Sequence, residues 1–309
     1  MRDDLTGVRE KVAARVVGRE RELDLLLAAV AAGRDVLLEG PPGTSKSTIL
    51  AAITAEWDVP MVFVEGNADL TPTRLVGHHS PARVLREDYS AETFVPGPLL
   101  EAMREGGFLY VEEFNRAPED TLNTLLTAMA ERRIAVPRVG TVEAAPSFRV
   151  VATMNPYDTI GTTRLSTSVS DRLCRLAVDY QDAEAERAIV AARTDLDLPR
   201  LVADAVGLTR ATRGHEAIRQ GSSVRGAIDL ALVVERLARL RSVPIPDDPG
   251  ATPPRGLPDD YTGLVLDGLL LALSGRVHLD EVVEATPEQV LRTIWESWFV
   301  LDPARAEPG

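Results

Sequence analysis

Apolar positions along this chain keep two spacings, and the balance between them changes once. Short apolar runs at 35–39, 61–64, 108–111, 148–152 and 173–178 have the length and composition of strands. Between and around them, at 18–33, 47–57, 99–105 and 120–133, apolar residues recur three and four apart, as on one face of a helix. Runs that are apolar throughout, alternating with helices, predict a parallel, doubly wound α/β sheet covered on both faces. Beyond about residue 180 the spacing is wholly helical, with segments at 182–193, 199–213, 223–241, 261–273 and 287–299. The pattern therefore predicts an α/β domain over 1–180 and a smaller all-α domain over 181–301, with a short tail at 302–309. A proline- and aspartate-rich stretch at 242–260 interrupts the helical part and reads as a mobile loop, or else a functional one.

The turn after the first strand carries the clearest chemistry. It reads Gly40-Pro-Pro-Gly-Thr-Ser-Lys-Ser47, with Thr48 next, and it opens directly into a helical segment. Only two of the 34 basic residues are lysines, and one of them is Lys46, so chemistry rather than composition calls for a lysine there. Strand, glycine loop, Lys-Ser and helix is the arrangement of a phosphate-binding loop: backbone N–H groups and the helix dipole cradle an anion. The cradle is Gly40, Pro41, Pro42, Gly43, Thr44, Ser45, Lys46, Ser47 and Thr48. Lys46 is placed to reach the β- and γ-phosphates, and Ser47 to ligate Mg²⁺. The alternative is a plain glycine turn with a solvated lysine.

Further along, 108–111 ends in Glu112 and Glu113. One carboxylate near a metal and a second to polarise water is what nucleotide hydrolysis requires. Glu113 suits the water and Glu112 the metal, although two acids can equally cap a strand. The run at 150–152 leads to Asn155, an amide able to hold the attacking water or a γ-phosphate. Asp171-Arg172 precedes the last strand, and Arg225 opens a helix in the second part.

Composition narrows the setting. A net charge of −13 argues against chain-wide affinity for nucleic acid, although a local basic pore would escape that count. The single cysteine, Cys174, excludes an intrachain disulfide, and its apolar flank predicts burial. Met1-Arg-Asp-Asp4 begins no apolar signal region, and 264–273 is too short to span a bilayer, so a cytoplasmic protein is expected. His78-His79 reads as a polar loop pair rather than a metal site. Trp295 and Trp298 read as helical-domain core or as an interface.

The order of these segments resembles the AAA+ ATPases and, within them, the MoxR family, over roughly 18–230. Its carriers are Gly18-Arg-Glu-Arg-Glu22, Leu37-Leu-Glu-Gly-Pro-Pro-Gly-Thr-Ser-Lys-Ser47, Asp69-Leu-Thr-Pro72 with Gly77, and Phe94-Val-Pro-Gly-Pro-Leu99. Glu112-Glu-Phe-Asn-Arg-Ala-Pro118, Leu125-Leu-Thr-Ala-Met-Ala-Glu-Arg132, Ala152-Thr-Met-Asn-Pro156 and Ser170-Asp-Arg-Leu173 complete the series. The resemblance implies ATP/ADP and Mg²⁺ as ligands, Gly40–Ser47 as Walker A and Glu112-Glu113 as the Walker B end. Asn155 then matches sensor 1, Arg172 the arginine finger and Arg225 sensor 2. It further implies an insert at about 66–97 facing a ring pore, a hairpin at 132–147, and a C-terminal lid. The assembly expected by resemblance is a homo-hexamer that remodels or activates a client protein or metalloenzyme with a von Willebrand factor A domain partner. The sequence departs from the family pattern at Ser45, where the strict loop has glycine, and at Glu112, where aspartate is usual. The second departure leaves open a slow or inactive ATP-gated binding scaffold.

Overall fold

The computed structural model describes residues 4–87, 90–156, 162, 165–247 and 258–300, and the chain forms two compact units, Met1–Asp179 and Tyr180–Gly309. The first unit opens with helix α1 (Leu5–Ala13), which the sequence pattern did not flag; Asp4 caps it by accepting from the Gly7 N–H at 2.8 Å. Then come α2 (Glu20–Ala31), β1 (Asp35–Glu39), α3 (Lys46–Trp57) and β2 (Met61–Glu65). Residues 66–97 hold α4 (Pro72–Val76), β3 (Gly77–His79), α5 (Pro81–Glu87) and β4 (Phe94–Pro96), with β3 and β4 paired antiparallel. His78 and His79 thus lie in a strand rather than a loop. Next follow α6 (Pro98–Glu105), β5 (Phe108–Glu112), a 3₁₀ turn at Phe114–Arg116, and α7 (Glu119–Glu131). The antiparallel hairpin of β6 (Arg133–Val136) and β7 (Gly140–Glu143) leads to β8 (Arg149–Met154), α8 (Thr167–Ser170) and β9 (Leu173–Ala177).

The main sheet has the order β2-β5-β8-β1-β9 and is parallel throughout. Its central strands are buried on both sides because successive side chains alternate between two cores. Leu37, Leu109, Val111, Val150 and Ala152 enter the core that includes Leu99, Leu122 and Leu125. Val36, Leu38, Phe108, Tyr110 and Val151 enter the other, with Val12, Leu26, Ile49 and Ile53. Each such aliphatic side chain contributes roughly 1.5–3 kcal/mol by leaving water. The edge strands are only partly covered. On β9 this overturns the expected burial of Cys174, which is exposed; an apolar run at a sheet edge has no neighbour to hide its outer residues.

The second unit comprises α9 (Ala183–Thr194), α10 (Pro199–Gly214), β10 (Ile218–Gln220), α11 (Val224–Arg241), α12 (Asp259–Leu273), a 3₁₀ turn at Ser274–Arg276, β11 (His278–Leu279) and α13 (Pro287–Phe299). It is helical but not wholly so. β10 and β11 pair as a small antiparallel ribbon, too short for any alternation to reveal it in the sequence. Its core holds a buried polar knot. Arg200 Nε donates to Asp204 Oδ2 at 2.9 Å, Tyr261 Oη to the same oxygen at 2.9 Å, and Trp298 Nε1 to Oδ1 at 3.1 Å. Trp298 also packs on Gly207, where an added Cβ would lie 2.1 Å from the indole. Both Trp295 and Trp298 therefore serve this unit's core. Of the 242–260 connector, residues 248–257 lie outside the described residues, as does the 302–309 tail.

Candidate functional site

Three neighbouring parallel strands, β1, β5 and β8, end at one edge of the sheet, and each is followed by a sequence-predicted site residue. Glu39 pairs in register with Met154, and the Gly40 N–H donates to the Met154 carbonyl at 3.1 Å. The phosphate-loop candidate therefore starts beside Asn155. Gly40 is required by close approach: a Cβ there would sit 1.9 Å from the Val178 carbonyl oxygen. Gly43 has φ +75, a conformation that favours glycine. Ser45 also lies in the left-handed region, at φ 66 and ψ 16, where a side chain costs about 1–2 kcal/mol. This departure from glycine thus sits in a backbone conformation that favours glycine.

Lys46 is the first residue of α3. Its ammonium donates to the Gly40 carbonyl at 2.8 Å, the Pro41 carbonyl at 2.7 Å and the Thr44 hydroxyl at 3.1 Å. It is thereby held over the loop rather than out in water. The buried Thr44 hydroxyl donates to Pro41 at 2.9 Å and fastens the loop from within. Behind the loop, Arg175 binds Glu39 through both carboxylate oxygens, Nη2 to Oε1 at 2.9 Å, and holds its carboxyl below the usual carboxylate range.

The acid pair lies on β5 and just beyond it. Glu112 pairs in register with Glu65, and its carbonyl accepts from the Gly66 N–H at 2.7 Å. Glu113 is itself in the left-handed region, at φ 52. Its carboxylate is engaged by Arg116, Nε to Oε2 at 3.1 Å. Between the loop and the acids stands Tyr110, which the sequence reading missed. Its hydroxyl donates to Glu112 Oε1 at 3.3 Å, with the hydroxyls of Ser47 and Thr153 also adjoining it. Burial, with the nearby Glu112 charge adding to it, pushes the Tyr110 phenol up to about 12. One signal was available: Tyr110 is two residues before Glu112 on a strand, so both face the same side.

These groups suit a nucleotide and its metal. Gly40 has no room for a Cβ against Val178, the first-turn N–H groups of α3 have no helical acceptors, and Ser47 and Glu112 offer the hard oxygen ligands that Mg²⁺ takes. Among the described residues, no three or more His, Cys, Asp or Glu are grouped so as to hold a metal ion. Arg172 is not brought to this edge. Leu173 pairs with Asp35 at the start of β1, so Arg172 lies at the opposite end of the strand whose C-terminus carries the loop. Its Nη1 donates to the Ser168 carbonyl at 2.9 Å. Arg225 is the second residue of α11 in the other unit and is exposed.

Comparison with known proteins agrees with this architecture. A family model for the AAA domain of the dynein-related subfamily matches residues 35–173. Gas vesicle ATPase GvpN2 of Halobacterium salinarum is 31% identical over 237 residues, 71% of this chain and 67% of that protein. The uncharacterized protein SERP0979 of Staphylococcus epidermidis is 28% identical over 204 residues, 64% of this chain and 77% of that one. Among solved structures, a candidate ATPase from Cytophaga hutchinsonii superposes with a TM-score of 0.53 at 22% identity, covering 94% of this chain and 93% of that one. A RuvB variant of Thermotoga maritima superposes with a TM-score of 0.51 at 17% identity, covering 84% of this chain and 72% of that one. At such identities the structures show the fold alone.

Proposed function

The chain belongs to the AAA+ ATPases, in the group of the dynein-related AAA domain, and from that premise we propose a MoxR-like member that hydrolyses ATP in a ring and uses the cycle to remodel or activate a client protein. The observation that carries this is the shared edge: loop, acid pair and Asn155 follow three adjacent parallel strands, with Gly40 bonded directly to Met154.

The steps follow from the side chains. Residues Gly40 to Thr48 would wrap the phosphates with backbone N–H groups, and Lys46 would exchange its loop carbonyls for β- and γ-phosphate oxygens. Ser47 and Glu112 would hold Mg²⁺, which when bound neutralises charge on the phosphates. Glu113 would take a proton from the attacking water, and Asn155 would orient that water. Arg172 lies at the far end of the sheet from its own loop, which suits action on a neighbouring copy's nucleotide, so that hydrolysis depends on assembly. Arg225 is assigned to sensing nucleotide from the helical unit. A homo-hexamer, a von Willebrand factor A domain partner and a cytoplasmic setting complete the proposal. None of the described helices is long and apolar enough to cross a membrane.

A second reading has its own support. Glu112 is one methylene longer than aspartate, and Glu113 is engaged by Arg116. Both favour a slow ATPase, or a scaffold that binds its partner according to nucleotide. Phosphate release by the assembled protein, then by Glu113→Gln and Arg172→Ala, separates the two. Turnover in the wild type that both variants abolish supports the machine. ATP binding without turnover in any of the three supports the scaffold.

A further inference from the structure

Tyr110 lies in the middle of β5, only 2% exposed, with its ring set between two neighbouring strands. On one side it pairs in register with Phe63, the ring centroids 5.6 Å apart, and on the other with Val151. A phenyl ring would fill the same slot. The hydroxyl therefore adds nothing to the packing, and a buried hydroxyl costs free energy unless polar partners meet it. Its partners all lie towards the edge that carries the phosphate loop. Glu112 Oε1 accepts from it at 3.3 Å, and the hydroxyls of Ser47 and Thr153 adjoin it. Thr153 is buried two residues beyond Val151 on β8, and so on the same face of the sheet as Tyr110. Ser47 is the second residue of α3.

A phenol has one proton to donate and two lone pairs to offer. With the proton given to Glu112, the lone pairs are left to the Ser47 and Thr153 hydroxyls, and these three neighbours use the whole of its capacity. Such a set of bonds answers the departure at Glu112. A glutamate has one more rotatable bond than an aspartate, so its carboxylate loses more freedom when it is fixed. The bond from Tyr110 takes up Oε1 and leaves Oε2 for a ligand. The same phenol oxygen gives the Ser47 hydroxyl an acceptor, which leaves the Ser47 lone pairs for a hard cation. Both oxygen donors are thereby referred to one ring that the sheet holds on either side. Groups that fix a ligating carboxylate in this way are worth about 10–100-fold in metal affinity.

We propose that Tyr110 is a positioning residue for the Mg²⁺ site, a role that rests on the chain being the ATPase proposed above. Its hydroxyl holds Glu112 and Ser47 at a fixed separation and makes the longer acid an effective ligand. Glu112 and Tyr110 then act as a pair, a lengthened carboxylate with its own brace.

The test measures affinity for a non-hydrolysable fluorescent ATP analogue, once with Mg²⁺ and once with EDTA, on the full-length wild type, Tyr110→Phe, Glu112→Asp and the double variant. The readout is the ratio of the two affinities, in which a partial loss common to both conditions cancels. Tyr110→Phe is expected to lower that ratio about tenfold. With Glu112→Asp already in place, the carboxylate is drawn back from the phenol, and the same change should lower the ratio by no more than about threefold. An equal loss in both backgrounds overturns the pairing with Glu112. A ratio unchanged by Tyr110→Phe, whatever its melting temperature, overturns the role, because the hydroxyl then serves the core alone. Complete loss of binding in EDTA overturns it too, since the hydroxyl then supports the loop rather than the metal. A wild type whose affinity does not respond to Mg²⁺ overturns the ATPase reading itself, and the brace with it.

Discussion

Replacing Gly40 by alanine tests whether the phosphate loop works because the backbone closes tightly behind it. The added Cβ would lie 1.9 Å from the Val178 carbonyl oxygen and 3.0 Å from its carbon. Real Cβ contacts essentially never fall below 3.0 Å, so the loop or the chain at Val178 must move by at least the 1.1 Å difference between 3.0 and 1.9. Neither is free to do so. Val178 N–H is bonded to the Glu39 carbonyl at 2.8 Å, and Gly40 N–H to Met154 at 3.1 Å. A misplacement of about 1 Å at a preorganised site costs on the order of 10²-fold, and forced overpacking costs about 1–3 kcal/mol of stability. Affinity for a fluorescent ATP analogue should therefore fall about a hundredfold, with a lowered melting temperature by far-UV circular dichroism. Gly263→Ala is the control: it places the same methyl on α12 in open space and should leave nucleotide affinity unchanged. Binding by Gly40→Ala within about threefold of wild type, about 0.7 kcal/mol, would refute the reasoning.

Three further outcomes are expected. Arg116→Ala releases the Glu113 carboxylate from an exposed pair worth up to about 1 kcal/mol, so phosphate release at saturating ATP should rise by up to about fivefold; an unchanged or lower rate means the pair does not restrain Glu113. Asp204→Ala leaves Arg200 buried without its counter-ion and should cost about 3–5 kcal/mol in urea unfolding of the helical unit, whereas a loss under about 1 kcal/mol would contradict the knot's importance. Above pH 10 the unfolded Tyr110 phenol ionises while the folded one keeps its proton to about 12, so stability falls across that window by up to about 2.7 kcal/mol. Tyr261, raised in the same direction by burial and Asp204, adds to the fall, and Tyr110→Phe should remove only its own share when unfolding is followed against pH.

The parallel sheet was legible because both of its faces are covered, which leaves uninterrupted apolar runs such as Val36-Leu-Leu38 and Phe108-Leu-Tyr-Val111. The loop at Gly40–Ser47 stood out because its glycines, its lysine and the change of period coincide. Other features had no such signature. The β10–β11 ribbon spans too few residues for alternation to register, and Cys174 was misjudged because a sequence does not say which strand ends at an edge. Tyr110 looked like one more core aromatic, since only the fold brings Ser47, Thr153 and Glu112 around its hydroxyl. A pocket lined by Arg34, Arg132, Arg149 and Arg172 draws on residues from 33 to 172 and has no local pattern at all.

Strand β8 runs between the two ends of the sheet. Its first residue, Arg149, lines that arginine pocket, and its last, Met154, holds the Gly40 N–H at the mouth of the phosphate loop. Paired with β5 over Arg149–Ala152 and with β1 over Val151–Met154, and rising about 3.3 Å per residue, it spans roughly 17 Å from one end of the sheet to the other.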